Sequence, residues 1–104
     1  MSVEHDLVLD IAKMLRAFAR CEMYSVIDRL ANATSKEAVE AALYESLRAA
    51  RSAKEHGGLC RDAPPESIWI ASDESIAKLL EELDKDLATG LDLVKKIVLR
   101  ALAM

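Results

Sequence analysis

Glycine and proline are scarce in this chain, three and two in 104 residues. So few turn-forming residues argue against the many short strands and tight hairpins of all-β sandwiches. Aromatic residues are thin too, one Trp, two Tyr and one Phe, with none of the interleaving of rings and cations that single-strand platforms use. No apolar run approaches the roughly 20 residues that span a bilayer. The acidic first ten residues contain no basic stretch leading into an apolar one, so neither a membrane span nor a secretory signal is expected, and the reading is of a cytoplasmic protein. Two cysteines, Cys21 and Cys60, stand without a CxxC. They read as reduced thiols filling apolar space, not as a disulfide framework or a zinc site.

What is present is a globular balance, 52% hydrophobic and 31% charged letters. The length suits one domain over 1–104, burying roughly 65% of the surface its unfolded chain would expose. That leaves no room for a large cofactor fold, and no cofactor is expected. The net charge of −4 is unevenly distributed: residues 62–92 carry nine acids against Lys78 and Lys85, while the preceding segment is balanced. Tight stand-alone nucleic-acid binders are basic overall, because phosphate affinity comes mainly from Lys and Arg displacing counterions; contacts of that kind would have to use patches here.

Val3, Leu7, Ile11, Met14, Leu15 and Phe18 recur at helical spacing after a possible Ser2 cap, and the pattern runs on through Tyr24, Ile27, Leu30 and Ala31. A single long helix is favoured over two with a break near Cys21. Thr34 to Glu37 reads as a capping box for a helix ending near Glu55, with Gly57-Gly58 as its stop. Periodicity fails from Gly57 to Ala71, where Pro64-Pro65 forbids a regular helix. Ser72 caps the next helix, whose face is Ile76, Leu79, Leu80, Leu83 and Leu87. Thr89-Gly90 is the expected interruption before a last face of Leu91, Val94, Ile97, Val98, Ala101 and Leu102. The fold class is all-α: a compact antiparallel bundle of four to five helices with one irregular loop at about 57–71.

Few constellations here carry chemistry. His5 and His56 lack any HExxH, GxSxG or Cys/His companion, and His56 reads as a cation at a helix C-terminus. The run Glu81, Glu82, Asp84, Asp86 alternates with leucines as a solvated face and lacks the EF-hand pattern, so no metal site is assigned. Glu81 and Asp84 are candidates instead for meeting a basic neighbour. Lys13, Arg16 and Arg20 share one side of the first helix, and Arg48, Arg51, Lys54 and Arg61 cluster around the end of the helix that stops near Glu55 and its loop. Such stripes can track a phosphate backbone with weak, salt-sensitive binding. The plainer reading pairs them with Glu22, Glu45 and Glu55. Trp69, between Ile68 and Ile70, is read as part of a plug over the bundle or as an anchor for a protein partner; base stacking is the weakest reading.

Two stretches, Tyr24 to Ala33 running into the helix to Ala53, and Leu79 to Leu87 leading to Leu99–Met104, resemble the small helical subunit of archaeal type I-A CRISPR surveillance (Cascade) complexes, the Apern-type small protein. The resemblance covers about half the chain and leaves the Gly57–Ala71 loop without a counterpart. It implies a noncatalytic subunit packing, in several copies, along a guide-RNA ribonucleoprotein and helping to hold bound nucleic acid in antiviral defence. The implied partners are other surveillance-complex subunits, copies of itself and, weakly, guide RNA or single-stranded DNA, with no membrane. Lys13, Arg16, Arg20, Arg48, Arg51 and Lys54 are the nucleic-acid candidates by residue chemistry, and Trp69, Glu81 and Asp84 the partner-binding ones. The alternative is a helical adaptor or homodimerisation module without nucleic-acid contact; a small helical enzyme would need converging polar groups that the charged faces do not supply.

Overall fold

The computed structural model describes residues 3–104, so the expected Ser2 cap lies outside the described residues. Five α-helices account for the fold, and no strand occurs among the described residues. Helix α1 spans Val3–Arg20 and buries Leu7, Ile11, Met14, Leu15 and Phe18, the stripe expected from their spacing. It does not run on into a single long helix. The chain turns out at Glu22, whose φ of 56° is left-handed, with the Met23 amide donating to the Phe18 carbonyl at 2.9 Å and the Glu22 amide to Ala19 at 3.1 Å. That pair of bonds is a Schellman stop built without glycine, which hid it from the sequence pattern.

Helix α2, Ser25–Ala31, buries Val26, Ile27 and Leu30. Helix α3, Lys36–Glu55, is capped by Ser35 and not Thr34: the Ser35 hydroxyl accepts from the Ala38 amide at 3.2 Å. It ends where expected. Gly57 and Gly58 take φ of 107° and 98°, and a Cβ on Gly58 would lie 2.6 Å from the Ala63 carbonyl oxygen. The loop that follows is irregular apart from a single 3-10 turn at Pro65–Ser67, and it is tied down by the burial of Ala63, Ile68 and Ala71.

Helix α4, Asp73–Lys85, starts from the Ser72 cap as expected. The break to α5, Leu87–Ala103, falls at Asp86 and not at Thr89-Gly90, and Asp86 caps the new helix by accepting from the amides of Ala88 and Thr89. Gly90 sits inside α5 because the helices meet there. A Cβ would lie 2.7 Å from the Leu83 Cα and 2.6 Å from its side chain. Leu87 and Leu102, assigned to apolar faces by spacing, are 43% and 50% exposed, since each sits near a helix end.

Helix α1 packs against α5 and α4, while α2 packs against α3 and α5. The buried apolar side chains of all five helices and the loop form one continuous cluster. Cys21 and Cys60 are not reduced fillers: they form a disulfide across a Cα–Cα distance of 5.8 Å. Their 39-residue separation conceals the proximity, because the fold carries the loop after α3 back to the end of α1. No described helix is long and apolar enough to cross a membrane.

Candidate nucleic-acid interface

The helical repeat sets Lys13, Arg16 and Arg20 on one side of α1, and the loop is folded onto that side. Together with Ala17, Ser67 and Trp69, the three cations line a groove of about 220 Å³. The apolar run does fold back onto the bundle, but Trp69 is not the residue that fills it. Its neighbour Ile68 takes that place at 2% exposure, whereas Trp69 remains 46% exposed. The indole N–H donates to Asp10 Oδ1 at 2.6 Å, and the Lys13 ammonium lies 4.7 Å from the ring centroid, a cation–π contact.

Asp10 organises this edge. Its other oxygen accepts from both the amide and the hydroxyl of Ser72, each at 2.9 Å. Burial pushes its carboxyl up, but the Ser72 amide, the Ser75 hydroxyl, the Trp69 indole and the Ser72 hydroxyl together outweigh it and hold the group below the ordinary carboxylate value. One carboxylate therefore fixes both the ring of the groove and the cap of α4. Lys54, at the far side of the loop, donates to the Ile68 carbonyl at 3.2 Å. The disulfide closes the same region, joining the residue after Arg20 to the loop that carries Ser67 and Trp69.

The cations of the groove form no ion pair among the described residues. Among the described residues, no carboxylate lies within 4 Å of the Lys13, Arg16 or Arg20 nitrogens; the ion pairs involve other residues. Arg16 is half-buried, and its Nε is buried without an acceptor, a donor that costs about 1–3 kcal/mol while unpaired. Among the described residues the stripes form no ion pair with Glu22, Glu45 or Glu55; Glu45 pairs with Arg29. The second cluster is not part of the groove. Arg48 and Arg61 are exposed, Arg51 lies 3.7 Å from Asp73, and Lys54 is engaged with the loop.

The acidic run is bound into the surface of the bundle. Glu81 and Glu82 lie 3.3 and 3.6 Å from Lys85, Asp84 pairs with Lys36 at 3.0 Å, and Asp86 is a cap. Among the described residues, no group of three or more His, Cys, Asp or Glu side chains is placed to hold a metal ion. His56 sits at the C-cap of α3 with Nδ1 2.9 Å from the Ser52 carbonyl oxygen.

Asp10 and Ser67 went unrecognised in the sequence. Asp10 lies three residues before Lys13, on the same side of α1, but its partners are 59 and 62 positions away, and no local pattern announces them.

A family model described as CRISPR-associated protein (Cas_Csa5) matches residues 14–94, a span that contains Arg16, Arg20 and Trp69. No curated protein and no solved structure matches the chain.

Proposed function

The chain belongs to the Cas_Csa5 family of CRISPR-associated proteins, and on that premise we propose that it is a noncatalytic small subunit of an RNA-guided surveillance complex. It packs along the ribonucleoprotein and stabilises bound nucleic acid through the cationic side of α1. The observation that carries this reading is the set of three cations, Lys13, Arg16 and Arg20, gathered in one groove, none of them ion-paired with a carboxylate of the described residues. Cations left without an ion pair on an acidic protein are available to phosphate. Exchange of a DNA duplex for a guide heteroduplex is nearly balanced, so a modest backbone contribution is enough to tip it. Arg48, Arg51 and Lys54, on α3 and outside the groove, are proposed as a second, separate set of backbone contacts. Glu81 and Asp84, on the outer side of α4, are proposed to meet a basic surface on a neighbouring subunit or copy.

The test is binding of a labelled single strand, DNA and RNA in turn, as a function of salt. Three phosphate contacts give a slope of log K against log salt of about −2, and Lys13→Gln/Arg16→Gln/Arg20→Gln flattens it. Absence of binding at low salt, both free and in the assembled complex, overturns the reading in favour of a helical adaptor. In that case the exposed Leu99 and Leu102 of α5 are the surface to mutate.

A further inference from the structure

A phosphate-tracking surface needs cations alone, but this groove also contains the protein's single tryptophan, held in place and left half open. Two contacts hold the ring, and a buried neighbour anchors its backbone. The Asp10 carboxylate takes the indole N–H, the Lys13 ammonium covers the ring, and the burial of Ile68 anchors the backbone beside it. An indole needed only as core filling would be turned inward as Ile68 is. Here nearly half the residue's surface faces solvent, in the groove that Arg16 and Arg20 also line.

We propose that this groove takes one unpaired nucleotide, its base stacked on the exposed indole surface of Trp69 and its phosphate held by Arg16 and Arg20. The inference rests on the nucleic-acid reading above and narrows it to single strands. Bases inside a duplex have both faces covered by their neighbours, whereas an unstacked base offers a face to an aromatic side chain. A ring already immobilised loses little freedom on binding, and stacking is tolerant of sequence because every base presents a π-face. The arginines supply the charge complement, both lining the groove beside Trp69. Asp10 keeps its negative charge beside the groove, because its hydrogen bonds from Trp69 and Ser72 favour the ionised form, and the cations Lys13, Arg16 and Arg20 outnumber it there.

Because Trp69 is the one tryptophan, its emission reports the groove directly. The full chain is titrated at low salt with oligothymidylate and with an abasic oligomer of equal length and equal phosphate count. The proposal predicts quenching by oligothymidylate alone and binding about five-fold or more tighter than the abasic strand. Trp69→Leu, followed by anisotropy of the labelled strand, removes the difference between the two, whereas Arg16→Gln/Arg20→Gln weakens both alike. Trp69→Phe keeps a ring and retains part of the preference, which guards against a folding artefact. Equal binding of the two strands without a change in emission overturns the proposal and leaves the phosphate reading intact. Failure of both strands to bind overturns the reading itself. A Trp69 that responds only when other subunits are added, without any strand, assigns the ring to a protein contact and refutes the stacking role.

Discussion

Breaking the Cys21–Cys60 bond gives the sharpest quantitative expectation. The bond closes a segment of the chain between residues 39 apart, and the loop-closure entropy it removes from the unfolded state corresponds to about 4 kcal/mol near room temperature. For a domain of this size each kcal/mol moves the melting temperature by roughly 4–8 °C, so Cys21→Ala/Cys60→Ala or full reduction lowers it by roughly 15–30 °C. The helices are expected to persist in the reduced protein below its melting temperature, because the fully buried cluster that joins them is built from residues other than the two cysteines. Its effect is local as well as global: the loop keeps its ties to Asp10 and Lys54 but loses its attachment beside Arg20. The assay is thermal unfolding followed by far-ultraviolet circular dichroism, with and without reductant, together with thiol titration of the native protein. Two titratable thiols in the native, non-reduced protein, or melting temperatures that agree within a few degrees, refute the reasoning.

Asp10→Asn should loosen the edge of the loop, shifting the Trp69 emission to the red. In the wild type, the folded carboxyl is held below its unfolded value of about 3.9, so its stabilising share is present above that value and is lost as pH falls through the folded one. Acid titration of stability below about pH 4 should therefore be steeper for the wild type than for Asp10→Asn; parallel curves count against the assignment. Gly90→Ala sets about 1–3 kcal/mol of crowding against Leu83 over a helix-propensity gain of about 1 kcal/mol, and denaturant unfolding should show a net loss. Glu22→Gly, at the left-handed stop of α1, should be neutral or stabilising by up to about 1 kcal/mol, whereas Glu40→Gly within α3 costs about 1 kcal/mol. An equal penalty at both sites would contradict the Schellman stop.

Much of the helical framework was readable from spacing, because apolar stripes at three and four residues and caps such as Ser72 are local signals. Where the reading failed, the determining interaction was not local or lacked its usual residue. The stop of α1 uses Glu22 in place of glycine, and Asp86 divides α4 from α5 while the more obvious Thr89-Gly90 lies within a helix to admit Leu83. Thr34 and Ser35 are equally good caps by chemistry, and the backbone chose the second. The disulfide pairs residues that only the tertiary fold brings together. At the candidate interface, the grouping of Lys13, Arg16 and Arg20 followed from the helical repeat alone. Their lack of ion pairs among the described residues, and the arrival of Trp69 through Asp10, depended on how the loop returns across α1.

The central claim is that the cations of α1 hold nucleic acid inside the ribonucleoprotein. Its most direct test is the lifetime of the guide–target R-loop in reconstituted surveillance complexes containing the wild-type chain, Lys13→Gln/Arg16→Gln/Arg20→Gln, or no copy of this subunit. The account predicts that the triple variant enters the complex normally yet releases target almost as fast as the complex lacking the subunit, with the difference from wild type shrinking as salt is raised. A triple variant that assembles and sustains a wild-type lifetime at every salt concentration would contradict it.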